Sequence, residues 1–163
     1  MTTAPTFVFQ AMHEDVARCI ADSLAYPGPY SFYNATSDPD DYLEFVSPES
    51  WPELFLQANF EWQLCGFMTG KSDGPDCAWE IALGLHPDLC GNGLGQAFTE
   101  ACVAEGATHF SNGWDTKLAV ASFNERAQKV YRRAGFIPGA STLQRTNGGN
   151  YSFLAMRRPY DWR

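Results

Sequence analysis

Three stretches of the chain carry residues that could do chemistry. In LCGNGLGQAF (Leu89–Phe98) the glycines Gly91, Gly93 and Gly95 alternate, and a helix-like run follows at once. Glycines ahead of a helix let a ligand approach the backbone, and the first N–H groups of a helix attract anions. Spacing narrows the choice. A Walker loop ends in Gly-Lys-Ser/Thr, but Gln96 follows Gly95, and a dinucleotide fingerprint needs glycine at position 96. The plain alternative is a hairpin at Asn92-Gly93, which requires strand on both sides. Glu80 lies inside the otherwise apolar run AWEIALGL. A carboxylate there is unusual unless it faces a cavity or an edge, so Glu80 is a candidate general base, with His86 and Asp88 at the strand end behind it. Tyr131 falls on the apolar stripe Ala127, Val130, Tyr131, Ala134 of a helix, a position that also suits a core tyrosine.

The elements that must position these residues follow from periodicity and breakers. Thr6–Gln10 reads as a strand, and Met12–Leu24 as a helix with Val16, Ile20 and Leu24 on one face. AYPGPYSFYNATSDP is a loop, after which Asp38 or Asp40 caps a short helix that Pro48 ends. Leu54–Ala58 and Gln63–Gly70 form two strands with a turn at Asn59–Glu61, GKSDGPD is a loop, and Ala78–Leu85 is the next strand. A helix over Gly93–Gly106, a strand over Lys117–Ser122 and a helix from Asn124 to Ala134 come next, with Asn124 as N-cap and Gly135 as stop. Phe136–Arg145 and Tyr151–Arg157 close the chain as a hairpin around Asn147-Gly148-Gly149. The pattern is an α/β (α+β) domain with a mixed sheet.

At 163 residues the chain suits one domain, 1–163. A net charge of −8 argues against a nucleic-acid partner. Residues 1–90 hold 14 Asp/Glu against 2 Lys/Arg, whereas residues 91–163 hold 5 against 9. An anionic ligand would therefore meet the second half, unless the two halves are simply differently solvated surfaces. The five cysteines are scattered without a CxxC pair, which fits a reducing cytoplasm better than a disulfide scaffold or a metal site. No apolar run reaches about 18 residues and MTTAPTFVFQ lacks the pattern of a signal peptide, so no membrane association is expected.

LAVASFNERAQKVYRRAGF (Leu118–Phe136) resembles the signature of the GNAT superfamily of acetyl-CoA-dependent N-acetyltransferases: a strand, an Asn cap, a helix bearing Tyr, then Gly-Phe. The family pairs this with Pro-x-x-Gln/Arg-x-x-Gly-x-Gly/Ala upstream. Here Pro87 to Gly95 supplies it, with Gly93 and Gly95 on the two glycines and Cys90 where Gln or Arg usually stands. The resemblance covers residues 77–157, and the first half matches in element order. It implies a mixed, mostly antiparallel sheet of six to seven strands with about four helices, in which two parallel strands splay to form the cofactor cleft. The cofactor it implies is acetyl-CoA, with no metal. Backbone groups of Cys90, Gly91, Asn92, Gly93, Leu94, Gly95 and Gln96 would cradle its pyrophosphate, Leu83 and Leu85 would pair with the pantetheine arm, and Asn124 would hydrogen-bond that arm. Tyr131 would protonate the leaving thiolate, Glu80 would serve as base, and a backbone N–H near Leu85 would hold the oxyanion.

The acceptor would be a small-molecule amine or a peptide or protein amino group. The aromatic loop (Tyr26, Tyr30, Tyr33, then Trp51), Glu80 and the acids Asp38, Asp40, Asp41 and Glu44 are candidates to wall its site. The TNGGNYSF turn is expected beside it, and the resemblance leaves room for a homodimer. The competing readings are an acetyl-CoA-binding sensor or regulatory domain without efficient turnover, and a transferase of other acyl groups.

Overall fold

The computed structural model describes residues 3–162. Its centre is a seven-stranded sheet in the order β1-β2-β3-β4-β5-β7-β6. The strands are β1 (Phe7–Ala11), β2 (Leu54–Phe60), β3 (Gln63–Asp73), β4 (Ala78–Leu85), β5 (Asp115–Ala121), β6 (Ile137–Thr146) and β7 (Gly149–Arg158). Every neighbouring pair is antiparallel except β4–β5. The α-helices are α1 (Glu14–Ser23), α2 (Pro39–Val46), α3 (Leu94–Ala107) and α4 (Glu125–Arg133). The expected mixed sheet with four helices is therefore present.

The helices lie on both faces. Phe98, Cys102 and Val103 of α3 meet Trp79, Ile81 and Leu85 of β4 and Leu118 and Val120 of β5 in the larger core. Ala17 and Ile20 of α1 meet Phe55 in the smaller one, with Phe45 and Phe67 packed against it. One face of β4 (Trp79, Ile81, Leu85, with Leu83 half-buried) packs into the larger core, whereas Glu80 and Ala82 on the other face are exposed. Trp79 stacks on Phe110 at 4.9 Å, and Gly106 lets α3 pass directly over the Trp79 ring.

Most boundaries shift by a residue or two from the sequence expectation, and two differ in kind. The β2–β3 turn is Glu61–Trp62, not Asn59–Glu61: Phe60 pairs with Gln63, a bulge falls between Ala58 and Asn59, and both turn residues take positive φ (49° and 69°). The segment expected as a loop from Gly70 instead continues β3, because Lys71, Ser72 and Asp73 pair with Glu80, Trp79 and Ala78. In the aromatic loop, Gly28–Tyr33 and Ala35–Ser37 form short 3-10 turns.

Candidate functional site

β4 and β5 stay paired over three residues only: Ala78 with Asp115, Trp79 with Thr116 and Glu80 with Lys117. Beyond them Ile81–Leu85 keeps its pairing to β3, and Leu118–Ala121 keeps its pairing to β7. The two strands thus splay into a V whose facing backbone edges are free of each other. At the closed end, Lys117 reaches Asp73 (2.5 Å) and Asp76 (3.1 Å), and Arg157 reaches Asp76 (2.7 Å) and Asp115 (2.7 Å). Hydrogen bonds from Lys117 and then Arg157 hold the Asp76 carboxyl below the usual carboxylate range; the bond from Arg157 does the same for Asp115. These ions tie β5 to β7 and to the turn before β4, at the end where the V must not open.

The open end leads into the glycine loop. His86 Nδ1 accepts from the Asp88 N–H (3.2 Å), and Asn92 Nδ2 donates to the Asp88 carbonyl (2.9 Å), so the turn is shaped locally. The Cys90 thiol points back toward the Leu85 and His86 carbonyls (3.6 Å each), away from the loop's outer surface. Gly91 and Gly93 take φ of +78° and +75°, and a Cβ on either would meet nothing within 4 Å. Glycine is required there by the backbone path, not by crowding. Gly95 differs: a Cβ there would stand 3.4 Å from both methyl groups of Val130, so this glycine sets the approach of α3 to α4. Among the described residues, no N–H from Gly91 to Gln96 donates to a protein acceptor. A run of free donors at the N-terminus of a fourteen-residue helix is a cradle for an anion.

The aromatic loop reaches both tips of the V. Tyr26 donates its hydroxyl hydrogen to the Leu85 carbonyl (2.8 Å) at the end of β4, and the Tyr33 hydroxyl accepts from the Ala121 N–H (3.2 Å) at the end of β5. Tyr131, from α4, lies among them. Burial pushes its phenol well above the ordinary value; Tyr33, Cys102 and Cys90 add to this, and no hydrogen bond offsets it. Burial likewise raises Tyr26, with Cys90 and Tyr131 adding and Arg126 opposing. Asn124 is buried, caps α4 through the Ala127 N–H (3.1 Å) and receives its position from β5 through the Ala121 carbonyl (2.9 Å). Arg126 lies 4.2 Å over the Tyr30 ring.

The expected residues therefore divide. Leu85, the glycine loop, Asn124, Tyr131 and Tyr33 gather around the open end, and Arg126 brings Tyr30 to them. Glu80 stands at the closed end, exposed, about 16 Å up the strand from Leu85. It shares a sheet face with Ala82 and Gly84, and register extends that face across Lys117, Ala119 and Ala121 to Arg157, Ala155 and Phe153. Leu83 lies midway, half-buried and free on its β5 side. The acids expected at an acceptor rim sit on or before α2, and Asp38 is engaged by the N–H groups of Asp40 and Asn147 (3.0 Å each). Sequence reading placed Tyr26 in the wall of an acceptor site and the TNGGNYSF turn, which holds Asn147 and Tyr151, beside it, but did not single out Phe32 or Phe123. Their signal was the density of aromatic residues in two segments far apart in the chain.

This arrangement offers an anion cradle, a parted pair of strands able to pair with an extended ligand, and a phenol that keeps its proton. Among known proteins, the model of the acetyltransferase (GNAT) family matches residues 20–136. A chimera of the spermidine N-acetyltransferase SpeG from Vibrio cholerae and hSSAT superposes with a TM-score of 0.69 at 16% identity, over 94% of this chain and 95% of its own. A candidate phosphinothricin N-acetyltransferase superposes with a TM-score of 0.70 at 13% identity, over 96% and 100%. A candidate acetyltransferase from Acinetobacter baylyi reaches 0.67 at 17% identity, over 99% of this chain and 97% of its own. At such identities the likeness is one of fold. No curated protein sequence matches the chain. The family match spans well over half of the sequence and contains the glycine loop, the V and the tyrosine of α4, and the chain belongs to the GNAT family of acetyltransferases.

Proposed function

We propose that the chain is one N-acetyltransferase domain that moves an acetyl group from acetyl-CoA to a primary amine by direct attack in a ternary complex. The observation that carries this reading is the conjunction of a splayed β4–β5 pair with a run of free backbone N–H groups at the mouth of the splay. Bound there, acetyl-CoA supplies the acetyl group as an activated thioester. The N–H groups of Gly91–Gln96 would hold its pyrophosphate, assisted by the α3 dipole. Cys90 would contribute its backbone only, since its thiol is turned inward. Leu83 and Leu85 would pair with the pantetheine arm on the free edge of β4, and Asn124 would add its side-chain amide, which lies next to the Tyr33 hydroxyl. Arg126 brings a positive charge near the loop, strong enough to act on both Cys90 and Tyr26.

The amine must be neutral to attack. A lysine-type amine near pKa 10.4 is neutral in about one molecule in 2,500 at pH 7, a deficit of about 4.6 kcal/mol. Glu80 stands about 16 Å along β4 from Leu85, so it would offset part of this deficit as base only through a chain of several waters along the open face of Ala82, Ala119 and Ala155. A backbone N–H near Leu85 would stabilise negative charge on the carbonyl oxygen. Tyr131 would deliver its proton to the departing sulfur. Its raised pKa supports this role, because the phenol stays protonated wherever the amine can react. Tyr30 and Tyr33 would wall the acceptor. The five unpaired cysteines support a cytoplasmic setting, and no described helix is long and apolar enough to cross a membrane.

The test is turnover. Purified protein, acetyl-CoA and a panel of primary amines should yield free CoA thiol and one acetylated amine per thiol released. Tight acetyl-CoA binding without acetylated product from any amine would favour a sensor over an enzyme.

A further inference from the structure

Beside the open end of the V lies a groove of about 400 Å³ between the aromatic loop and the tip of the β6–β7 hairpin. Its apolar walls are Pro29, Phe32, Phe123 and Tyr151, and its polar rim is Ser31, Ser37 and Asn147. That volume falls in the range of small-molecule sites. Phe32 is the hub: its ring lies 4.8 Å from Tyr151, 5.5 Å from Phe123 and 5.2 Å from Tyr33. Packing explains Phe32, which is half-buried, but not the outward faces of Phe123 and Tyr151, which are 44% and 36% exposed. The hairpin tip is fastened over the loop by Asn147, whose amide donates to the Phe32 carbonyl (2.8 Å) and whose N–H donates to Asp38 (3.0 Å).

We propose that this groove seats the ring of an aromatic primary amine, and that the acceptor is an arylalkylamine carrying a single amino group, not a polyamine. The proposal rests on the N-acetyltransferase reading and names its substrate class. Two observations carry it. The first is charge: none of the residues lining the groove carries a carboxylate. A polyamine keeps at least one ammonium charged while another nitrogen reacts, and the groove offers that ammonium ring faces but no counter-ion among its lining residues. An arylalkylamine brings an uncharged ring, and edge-to-face contact with phenyl walls is favourable beyond burial alone. The second is continuity. Tyr33 links the groove to the tip of β5: its ring is 6.1 Å from Phe123 and its hydroxyl sits on the Ala121 N–H. A ring in the groove thus directs a short amine-bearing arm past Tyr33 toward the parted strands.

The test measures binding and turnover separately, with 2-phenylethylamine and spermidine as probes, on CoA-saturated protein. By calorimetry, 2-phenylethylamine should bind at least tenfold more tightly than spermidine. Phe123→Ala, at an exposed position, should weaken 2-phenylethylamine at least fivefold and leave CoA affinity and thermal stability unchanged; Tyr151→Ser should act in the same direction. Equal or tighter spermidine binding, or an unchanged 2-phenylethylamine Kd in both variants, would overturn the proposal. Turnover distinguishes the two readings: acetylated spermidine with unreactive 2-phenylethylamine sinks the aromatic acceptor and keeps the acetyltransferase, whereas groove-dependent binding of 2-phenylethylamine without acetylation of any amine keeps the groove and sinks the enzyme.

Discussion

At the scale of single residues, the proposed mechanism gives two chemical tasks to Tyr131 of α4 and Glu80 of β4, which stand at opposite ends of the V. Tyr131 is packed beside Tyr33 and Cys90, and burial raises its phenol. A native pKa above the unfolded value means the folded state holds the proton more tightly. The phenol therefore remains a competent acid through pH 10, and native stability begins to fall only above that, where the unfolded chain's tyrosine ionises. Tyr131→Phe should lower kcat about 100-fold or more while changing the CoA Kd less than twofold, read from steady-state rates and calorimetry. A wild-type kcat in that variant would remove the proton-donor role. Glu80→Gln should flatten the rise of kcat/KM with pH on the acidic side and leave CoA binding untouched, because Glu80 sits at the opposite end of β4 from the glycine loop. A parallel pH profile at reduced height would assign Glu80 to positioning instead.

At the scale of elements, the V requires one end locked and the other free. The lock is the cluster of Lys117, Arg157, Asp73, Asp76 and Asp115. Asp76 and Asp115 are held below their ordinary pKa, so their stabilising effect is complete above about pH 4 and is lost as pH falls through the depressed native values. Arg157→Met should lower Tm by about 2–4 °C between pH 5 and 8, and the gap to wild type should close below about pH 4. A gap that persists at pH 2 would assign the loss to packing of the arginine stem. The free end depends on backbone path. Gly93→Val forces a β-branched residue to φ near +75°, which costs roughly 1–2 kcal/mol and disturbs the donor array. CoA affinity should drop at least tenfold, beyond what the lowered Tm explains; an unchanged Kd would place the anion elsewhere.

The same elements mark where sequence reading succeeds and fails. α4 was legible because its signals are local: Asn124 at the cap, a clean stripe and Gly135 at the end, and the helix runs Glu125–Arg133. The Asn147-Gly148 turn is a two-residue hairpin as its residues demand. Gly91 and Gly93 signalled a special backbone, although Gly95 serves helix packing. The tyrosine contacts were not legible. Tyr26 meets a carbonyl 59 residues away and Tyr33 an N–H 88 residues away, and no periodicity reports such pairings. Nor does any local signal tell that β7, the second strand of the hairpin, inserts beside β5 and leaves β6 at the edge. Nor could composition show that Asp38 is joined to Asn147, 109 residues on.

At the scale of the whole molecule, charge is arranged against the net value of −8. The acidic first half builds α1, α2 and β1–β4, while α4, which packs on α3, carries Arg126, Lys129, Arg132 and Arg133, with Arg126 near Cys90 of the glycine loop. No ion pair in the described residues engages any of those four side chains. An anionic ligand approaching the mouth of the V would meet a local positive field on an acidic protein. Binding to that field should be salt-dependent, because exposed charges are screened over about 10 Å at 0.1 M ionic strength. Acetyl-CoA at about 100 times its Kd should stabilise the fold by about 2.7 kcal/mol, which raises Tm by roughly 5–10 °C at this chain length. ATP and NAD at equal concentration serve as controls, since the loop fits neither a Walker nor a dinucleotide pattern. Between 0.05 and 0.3 M salt the CoA Kd should rise several-fold, while pantetheine, which lacks the phosphates, should bind weakly and without salt dependence. Arg126→Gln should remove part of the CoA salt dependence and none of the pantetheine affinity. Equal shifts with ATP and acetyl-CoA would reduce the loop to a general anion site, whereas a selective, salt-sensitive shift ties the cradle, the V and the basic helix to one ligand.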